Sequence, residues 1–370
     1  MHKDTIFPWR DDNNISFFID GKQFYPAMLE AIEQAEKFVL MEMYLFESGD
    51  IANKFIQAFV DAAQRQLKVQ LLVDDYGSLN LSKFDRNRLL QAGVTLVFYN
   101  PLRLKQFKKN LFRTHRKYLI IDDKKAFVGG AGITDLFNGK KAWRETVVEI
   151  QGKVVADWHT LFINNYKHWS SEAVPKAQAY PYKHGIKARL AYTEGGVNLE
   201  IKKVLLNQMN NSGKIIWLAS AYFIPSRKIR KALRRAAIKG TDVRLLLPGP
   251  VTDHPAVRYA SRRYYARLLR FGVRIFEYQE RFTHTKMVLV DDWFTIGSSN
   301  MDRWNFRWNL EANQETKDKK TAEIARKVML NDFKNCHEIH YQQWMRRSRM
   351  LRFKEWIWGK ADLWLSAYLK

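Results

Sequence analysis

The sequence has very little cysteine and no long apolar run, and each shortage excludes a class of protein. Cys336 is the one cysteine among 370 residues, so no intrachain disulfide can form and a reducing compartment is expected. The longest apolar run covers residues 215–224 and is interrupted by Ser220. It is roughly half of the ~20 residues that a membrane span requires, so we expect a buried strand there. The N-terminal segment lacks the apolar core of a secretory signal.

Acidic residues are scarce relative to basic ones. The chain holds 62 Lys and Arg against 38 Asp and Glu, which leaves a formal net charge of +24. An excess of this size attracts polyanions, and phosphate-rich membranes and nucleic acids are the two large candidates. Hydrophobic residues make up 46% of the sequence, which excludes global disorder. The length is that of two domains of ordinary size.

The chain repeats itself, and the repeat predicts its architecture. KFVLMEMYLFES, from Lys37, returns as KIIWLASAYFIPS, from Lys214, and LLQAGVTLVFY is matched by LLRFGVRIFEY. Apolar runs of strand length alternate with amphipathic helical segments, an order that predicts mixed sheets flanked by helices. We therefore predict an α/β protein with one domain over residues 16–170, a similar domain over 185–340 and a separate C-terminal segment over 341–370.

Each half contains the octet H-x-K-x-x-x-x-D. Its residues are His115, Lys117 and Asp122 in the first half and His284, Lys286 and Asp291 in the second. On a strand, side chains two positions apart point to the same face, so each His–Lys pair is predicted to act in an active site. The Asp lies at an odd offset from the Lys, and we interpret it as an orienting or structural partner. A single histidine on a strand is more often structural, but a doubled octet inside a whole-chain repeat favours catalysis.

Polar and acidic residues downstream of each octet complete the candidate site. The second octet is followed by GSSN, in which Ser298 and Asn300 are predicted to donate hydrogen bonds to phosphate oxygens. Both halves then carry E-x-x-x-E, which begins at Glu145 and at Glu311. A carboxylate about thirty residues past each histidine is predicted to accept its Nδ1–H, which leaves Nε2 free and basic.

Paired octets with a G-S-x-N run are typical of the phospholipase D superfamily, which the sequence resembles from about Phe17 to the C-terminal region. SRRYYARLLRFGVRIFEY before the second octet and NLEAN after it resemble the bacterial cardiolipin synthases that lack transmembrane helices. The resemblance implies two similar domains related by a pseudo-two-fold axis, with both histidines at one site. It also implies that the reaction uses no metal and no other cofactor.

The resemblance further implies a role for each residue of the motifs. One histidine attacks the phosphodiester phosphorus and becomes phosphohistidine, and the other protonates the departing alcohol and then deprotonates the incoming one. We assign the first role to His115 and the second to His284, and the near-symmetry of the halves leaves the reverse order open. The lysines hold the phosphoryl oxygens. Gly132 stands where many relatives have Asn, so the first half lacks one phosphate donor.

Two basic segments are predicted to contact a membrane. PLRLKQFKKNLFR, before the first octet, mixes Lys105, Lys108 and Lys109 with apolar residues. The C-terminal segment carries four of the twelve tryptophans, namely Trp344, Trp356, Trp358 and Trp364. Tryptophan and arginine together are typical of the membrane interface, and we predict that Trp356 and Trp358 lie there. In both segments, packing against the body of the protein also explains the composition.

Two further clusters bear on possible ligands. Six arginines between Arg258 and Arg274, with no acid among them, indicate an anionic ligand nearby. Cys336, His337 and His340 resemble a metal cluster only loosely, because no second pair of ligands accompanies them. We therefore assign no metal and no cofactor.

Together these features predict a cardiolipin-synthase-like phosphatidyltransferase that acts on anionic phospholipids at a membrane surface. It is expected to be a peripheral protein on the cytoplasmic face of a bacterial inner membrane. A hydrolase of the same superfamily is the first alternative, and a nuclease or nucleic-acid-binding protein, which the net charge also suits, is the second. The Trp-rich tail and the apolar-basic segment favour lipid over nucleic acid.

Overall fold

A computed structural model describes the backbone of residues 6–368 and the side chains of residues 6–360. The strands in chain order are β1 (Arg10–Ile19), β2 (Phe38–Met43), β3 (Lys68–Asp74), β4 (Thr95–Tyr99), β5 (Arg113–Thr114), β6 (Lys117–Ile121), β7 (Lys125–Gly129), β8 (Thr146–Gly152), β9 (Ile186–Glu194), β10 (Asn198–Leu199), β11 (Ile215–Ala219), β12 (Phe223–Ile224), β13 (Asp242–Pro248), β14 (Arg274–Tyr278), β15 (Met287–Val290), β16 (Trp293–Gly297), β17 (Met301–Asp302), β18 (Asn309–Lys317) and β19 (Cys336–Ile339).

Helices follow most of the strands. They are α1 (Gly21–Glu33), α2 (Asp50–Gln64), α3 (Lys83–Gln91), α4 (Phe107–Asn110), α5 (Val155–Tyr166), α6 (Glu200–Asn210), α7 (Arg227–Ile238), α8 (Pro255–Arg262), α9 (Tyr265–Leu269), α10 (Asn305–Trp308), α11 (Lys319–Lys334), α12 (Tyr341–Met345) and α13 (Arg349–Tyr368). A short 3-10 turn lies at Asp135–Phe137.

The first of two compact units consists of the chain up to Glu200 together with residues 296–299 and 308–316. Its sheet has the order β4-β3-β2-β6-β7-β8-β1-β9-β18. β2, β3 and β4 are parallel, and the other neighbours are antiparallel. β5 pairs in parallel with β18 and leads into the first octet.

The core of the first unit explains why the repeated apolar run forms β2. Every residue of β2 is buried, as expected for a strand covered on both faces. Helix α2 places Phe55, Ile56 and Phe59 against this sheet, because those positions recur on one side of a helix. Burial of this apolar stripe stabilises the packing of α2 on the sheet. Within that sheet β2 pairs with β6, the strand that contains Lys117 of the octet.

The second unit consists of residues 201–295, 300–307 and 317–370. Its main sheet has the order β19-β14-β13-β11-β15, and β12 pairs separately with β17. β11 lies between parallel β13 and antiparallel β15, just as β2 lies between parallel β3 and antiparallel β6 in the first unit. The predicted α/β class, with mixed sheets flanked by helices, is confirmed, and the repeated segments take equivalent positions within each unit.

The compact units do not follow the repeat in one respect. β18 comes late in the chain, yet it pairs with β9, with Glu311 opposite Thr193, and so belongs to the first unit. The domain boundaries at 16–170, 185–340 and 341–370 therefore stay predictions. Over the described residues, we find no helix with both the length and the apolar character to cross a bilayer.

Candidate active site

His115 is held by a buried carboxylate. Its Nδ1 lies 2.9 and 3.2 Å from the two carboxyl oxygens of Glu311, which has no exposed surface. The backbone N–H of His115 donates to the carbonyl of Leu310 at 2.9 Å, so the same strand positions the ring and the chain. Spacing alone places the orienting carboxylate about thirty residues past each histidine, but Glu311 is 196 residues beyond His115. With Nδ1 bonded to the carboxylate, an attack by His115 on phosphorus would use the other ring nitrogen, Nε2.

Lys117 packs beside His115, as the spacing predicts. Its Nζ donates to the backbone carbonyl of His115 at 2.7 Å and lies 5.0 Å from the ring centroid of Tyr44. The Tyr44 ring meets the His115 imidazole edge-on, with 4.8 Å between centroids. Burial raises the pKa of the Tyr44 hydroxyl, so this group stays protonated. A cation, an imidazole and a neutral phenol therefore meet at one point of the first unit.

The second octet repeats this local geometry. Nζ of Lys286 donates to the backbone carbonyl of His284 at 2.5 Å and lies 2.9 Å from each ring nitrogen of that histidine. Both side chains are buried. Phe282 packs on the imidazole at 5.8 Å between ring centroids. In each unit the octet thus brings a lysine ammonium group to its histidine, which is the arrangement needed to hold a phosphoryl oxygen beside an attacking or protonating nitrogen.

The two aspartates of the octets serve the backbone. The carboxylate of Asp122 accepts N–H groups of Glu36, Lys37 and Phe38 at 2.8–2.9 Å, where β2 begins. Asp122 also has a positive φ of 54°, as expected of a turn residue after a strand. This geometry fits the interpretation of the octet Asp as a structural partner.

Asp291 makes the same three contacts in the second unit. It accepts the N–H groups of Gly213, Lys214 and Ile215 at 2.8–2.9 Å and has a φ of 51°. Burial by itself would raise the pKa of Asp291, but the three N–H donors outweigh it, and the pKa lies below its ordinary value. In both units, the octet Asp therefore links the turn after the octet strand to the start of the neighbouring strand by hydrogen bonds.

The remaining predicted polar residues take different positions. The Ser298 hydroxyl donates to the Glu311 carboxylate, so it supports the partner of His115 directly. Oδ1 of Asn300 accepts the N–H of Tyr222 at 3.3 Å, whereas its buried Nδ2 has no hydrogen-bond partner in the described part of the protein. Glu145 is fully buried, and its Oε1 accepts the N–H of Thr146 at 2.9 Å. Asn300 thus retains a donor for a phosphate oxygen.

Gly132 has a steric reason to be glycine. A Cβ at this position would lie 2.7 Å from both the Cβ and the carbonyl oxygen of Leu45. The first unit therefore cannot take asparagine, or any other residue with a Cβ, at position 132 without a shift of the backbone at Leu45.

Sequence reasoning missed a buried polar support under the first octet. Asp74 accepts the N–H of Thr114 at 3.0 Å and pairs with Arg113 at 3.4 Å, and it also accepts two backbone N–H groups in the turn after β3. Glu42 accepts the Thr114 hydroxyl, the Tyr118 hydroxyl and an Asn165 amide. Two carboxylates therefore fix the residue that precedes His115.

These residues carried little signal of their own in the sequence. Glu42 and Asp74 are acids inside otherwise apolar strand segments, a position that predicts a hydrogen-bonded role because an isolated buried charge is costly. The repeat did not mark Tyr44 either, because with Lys37 aligned on Lys214 its counterpart in the second copy is Ala221, one residue before Tyr222.

An apolar cavity adjoins this support within the first unit. It has a volume of about 330 Å³ and is lined mainly by aromatic and aliphatic side chains, among them Phe7, Tyr99, Phe112, Tyr192 and Leu310. Leu310 is also the residue whose carbonyl holds the backbone of His115. The cavity therefore extends to the residue of β18 that is hydrogen-bonded to the backbone of the candidate nucleophile.

The segments predicted to contact a membrane are exposed. Lys105, Lys108 and Lys109 lie on the surface in and around α4, and the neighbouring Leu104 and Phe107 are exposed as well. On α13, Trp356 and Trp358 are 58% and 43% exposed. Trp344 is buried instead, and the side chain of Trp364 lies outside the described residues.

In the described part of the chain, no group of three or more His, Cys, Asp and Glu side chains is placed to hold a metal ion.

Comparison with known proteins identifies the family. The family described as "Cardiolipin synthase, PLD-like domain" matches residues 28–166 and 205–333. "Cardiolipin synthase B" of Salmonella typhimurium is 33% identical over 350 residues, which cover 89% of this chain and 84% of that protein. "Probable cardiolipin synthase YwiE" of Bacillus subtilis is 30% identical over 349 residues, or 92% and 67% of the two chains.

Solved structures agree on the fold. Phosphatidylserine synthase of Haemophilus influenzae superposes with a TM-score of 0.78 at 14% identity, over 98% of this chain and 97% of that one. A polyphosphate kinase of Porphyromonas gingivalis gives a TM-score of 0.62 at 15% identity, over 89% and 49%. The doubled octet, the family match over both halves and the relatives that span most of the chain all lead to one conclusion: this protein is an enzyme of the phospholipase D superfamily and belongs to the cardiolipin synthase family with PLD-like domains.

Proposed function

We propose that the protein transfers a phosphatidyl group from one phospholipid to the hydroxyl of another through a phosphohistidine. With phosphatidylglycerol as donor and acceptor, two molecules give one cardiolipin and one glycerol. The observation that supports this most is the bond from Nδ1 of His115 to Glu311, which leaves Nε2 as the reacting nitrogen. Nucleophilic histidines need this arrangement, because the carboxylate fixes the tautomer and offsets the positive charge that develops on the ring.

The proposed steps balance as two displacements at phosphorus. Nε2 of His115 forms a bond to phosphorus, and the bond to the glycerol oxygen breaks as that oxygen takes a proton from His284. The hydroxyl of the second phospholipid then gives its proton to His284 and attacks the phosphohistidine, which releases His115. Lys117 and Lys286 hold the non-bridging oxygens, and the free donor of Asn300 suits the same task. Ser298 acts through Glu311 rather than on phosphate, because its hydroxyl donates to that carboxylate.

A lipid substrate is favoured by the surroundings of His115. The cavity beside Leu310 suits an acyl chain or glycerol ester better than a nucleotide, because its described lining is mainly apolar and includes Glu194 but no Lys or Arg to meet nucleotide phosphates. Exposed Leu104 and Phe107 beside Lys108 and Lys109 fit a membrane surface with anionic lipids. Relatives named cardiolipin synthases support transfer over hydrolysis. We place the protein at the cytoplasmic face of a bacterial inner membrane as a peripheral enzyme.

Product analysis separates this proposal from its alternatives. The purified protein is incubated with phosphatidylglycerol vesicles, and the lipids and free glycerol are quantified. We expect cardiolipin and glycerol in equal amounts. Phosphatidic acid with glycerol but without cardiolipin would mean a hydrolase, and cleavage of a labelled oligonucleotide with no lipid conversion would mean a nuclease.

A further inference from the structure

A groove on the second unit collects six cationic side chains. It has a volume of about 490 Å³ and lies between α7 and the junction of α8 with α9. Its basic residues are Arg227, Arg230, Lys231, Arg234, Arg263 and Arg267. Tyr264 and Leu268 provide the apolar part of the lining. None of these residues belongs to the octets or to the GSSN run.

The arginines nearby show what is unusual about this groove. Arg258 pairs with Glu277 at 3.0 Å, Arg262 lies 3.4 Å from Glu355, and Arg274 pairs with Glu338 at 2.7 Å. Each of these arginines therefore has an acidic partner. Across the described residues, by contrast, none of the six groove cations forms an ion pair with a carboxylate.

Three of the groove cations, Arg230, Arg234 and Arg263, are held in place despite the mutual repulsion of the set. The guanidinium groups of Arg230 and Arg263 lie 4.4 and 4.8 Å from the ring centroid of the same residue, Tyr264. Nε of Arg234 donates to the carbonyl of Arg230 at 3.2 Å. Burial, together with neighbouring cations, lowers the pKa of both Arg230 and Arg234. A bound anion relieves the repulsion within an ordered set of like charges that has no acid among them. The guanidinium group of arginine suits phosphate because it donates paired hydrogen bonds to phosphate oxygens.

We infer that this groove binds the phosphate headgroup of an anionic phospholipid in a membrane, at a position separate from the reacting motifs. A membrane lipid is favoured over free phosphate because the groove is joined to α13. Arg263 donates to the carbonyl of Gly359, and on the same helix Phe353 and Trp356 stack at 6.1 Å and are both more than half exposed. Exposed aromatic rings beside a basic groove match the two layers of a membrane interface, apolar and phosphate-rich. The inference does not depend on the reaction proposed above.

Two triple variants with the same net charge test the inference. Arg227→Gln, Lys231→Gln and Arg267→Gln together remove three exposed charges of the groove, and Lys319→Gln, Lys320→Gln and Lys327→Gln remove three exposed charges of α11 in the same unit. Binding is measured by co-sedimentation with phosphatidylcholine vesicles that contain or lack phosphatidylglycerol. We expect the groove variant to lose affinity for the anionic vesicles by roughly tenfold or more, and the α11 variant by less than about threefold.

Each other outcome counts against the inference. Equal losses in the two variants would mean that only net charge attracts the vesicles, and unchanged binding of the groove variant would mean that the groove takes no lipid. Displacement of the protein from vesicles by millimolar inorganic phosphate, in the wild type but not in the groove variant, would identify a free-phosphate site instead. Loss of oligonucleotide binding by the groove variant, with vesicle binding retained, would identify a nucleic-acid surface. Melting temperatures serve as the control for folding, and both variants should match the wild type because the replaced side chains are exposed.

Discussion

Nδ1 of His115 lies 2.9 Å from the carboxylate of Glu311, although the two residues are 196 positions apart. Glu311 lies on β18, and this late strand reaches the first unit by pairing with β9 and with β5, the strand immediately before His115. The candidate nucleophile from the first half of the repeat therefore depends on a carboxylate from the second half. Neither half of the sequence contains this pair by itself.

Glu311→Gln tests whether the carboxylate acts through His115. The amide keeps the size of the side chain but loses the charge that stabilises an imidazolium, so we expect turnover to fall by roughly 10²–10⁴-fold. Steady-state kinetics should place the loss in kcat, with KM nearly unchanged, and the pH profile should shift because the imidazole of His115 loses its charged partner. Glu311→Asp should recover part of the rate. A fall in melting temperature that accounts for the lost activity would mean that Glu311 only supports the fold.

Asp122→Ala should lower the free energy of unfolding rather than change the reaction directly. It leaves three backbone N–H groups at the start of β2 without their acceptor, at a cost of about 2–4 kcal/mol in the free energy of unfolding. Asp291→Ala removes the same hydrogen bonds from the second unit, where the carboxylate is less buried, and should cost less. Chemical denaturation measures both. A variant that keeps wild-type stability but loses turnover would show that the octet Asp takes part in the reaction.

Asp74 should give the protein a distinctive dependence on pH. Burial raises the pKa of Asp74 to about 7, against the opposing effects of Arg113 and three backbone N–H groups. The folded state then holds a proton that the unfolded state has released, so this contribution to stability declines as pH rises from about 4 to about 7 and is constant above that range. The slope is on the order of 1 kcal/mol per pH unit. Unfolding free energies of wild type and Asp74→Asn across this range should diverge, and parallel curves would contradict the raised pKa.

The segment before the first octet should matter for membranes more than for chemistry. Lys105→Glu, Lys108→Glu and Lys109→Glu reverse three exposed charges beside exposed Leu104 and Phe107, each basic residue contributing about 1 kcal/mol at an anionic surface. Activity on phosphatidylglycerol vesicles should fall at least tenfold, while activity on a short-chain soluble phosphodiester stays within about threefold. The matched control reverses Lys22, Lys54 and Lys83, which are exposed elsewhere in the first unit. Equal losses on both substrates would assign the segment to the fold or to the site.

Local patterns in the sequence were enough to predict the strands and the contacts within each octet. Lys117 and Lys286 do contact their histidines, because a strand places residues two apart on one face, and the octet aspartates lie in the turns that follow. Contacts between distant segments were not predictable in this way. Glu311 on His115, Tyr44 on the same ring and the bond from Asp74 to Thr114 depend on strand pairing, which a single sequence with period-two patterns does not specify. The run of arginines predicted to face an anionic ligand contains only Arg263 and Arg267 of the groove on α7–α9. The ion pairs that set other members of that run apart, with Glu277 and Glu355, could not be predicted from the sequence.

Protein mass spectrometry detects the proposed covalent intermediate on His115. His284→Ala lacks the group that protonates the departing alcohol, so the test uses a short-chain phosphatidyl ester of p-nitrophenol, whose leaving group departs without a proton. After brief exposure in the presence of EDTA, the variant should carry one phosphatidyl adduct, because no base activates the incoming hydroxyl. Because a phosphohistidine is labile in acid, the sample is digested and analysed at neutral to basic pH. We predict the adduct on the peptide that contains His115, and none in His115→Ala. An adduct on His284 would reverse the two roles, and an active wild-type enzyme that never yields a histidine adduct in either variant would contradict the account.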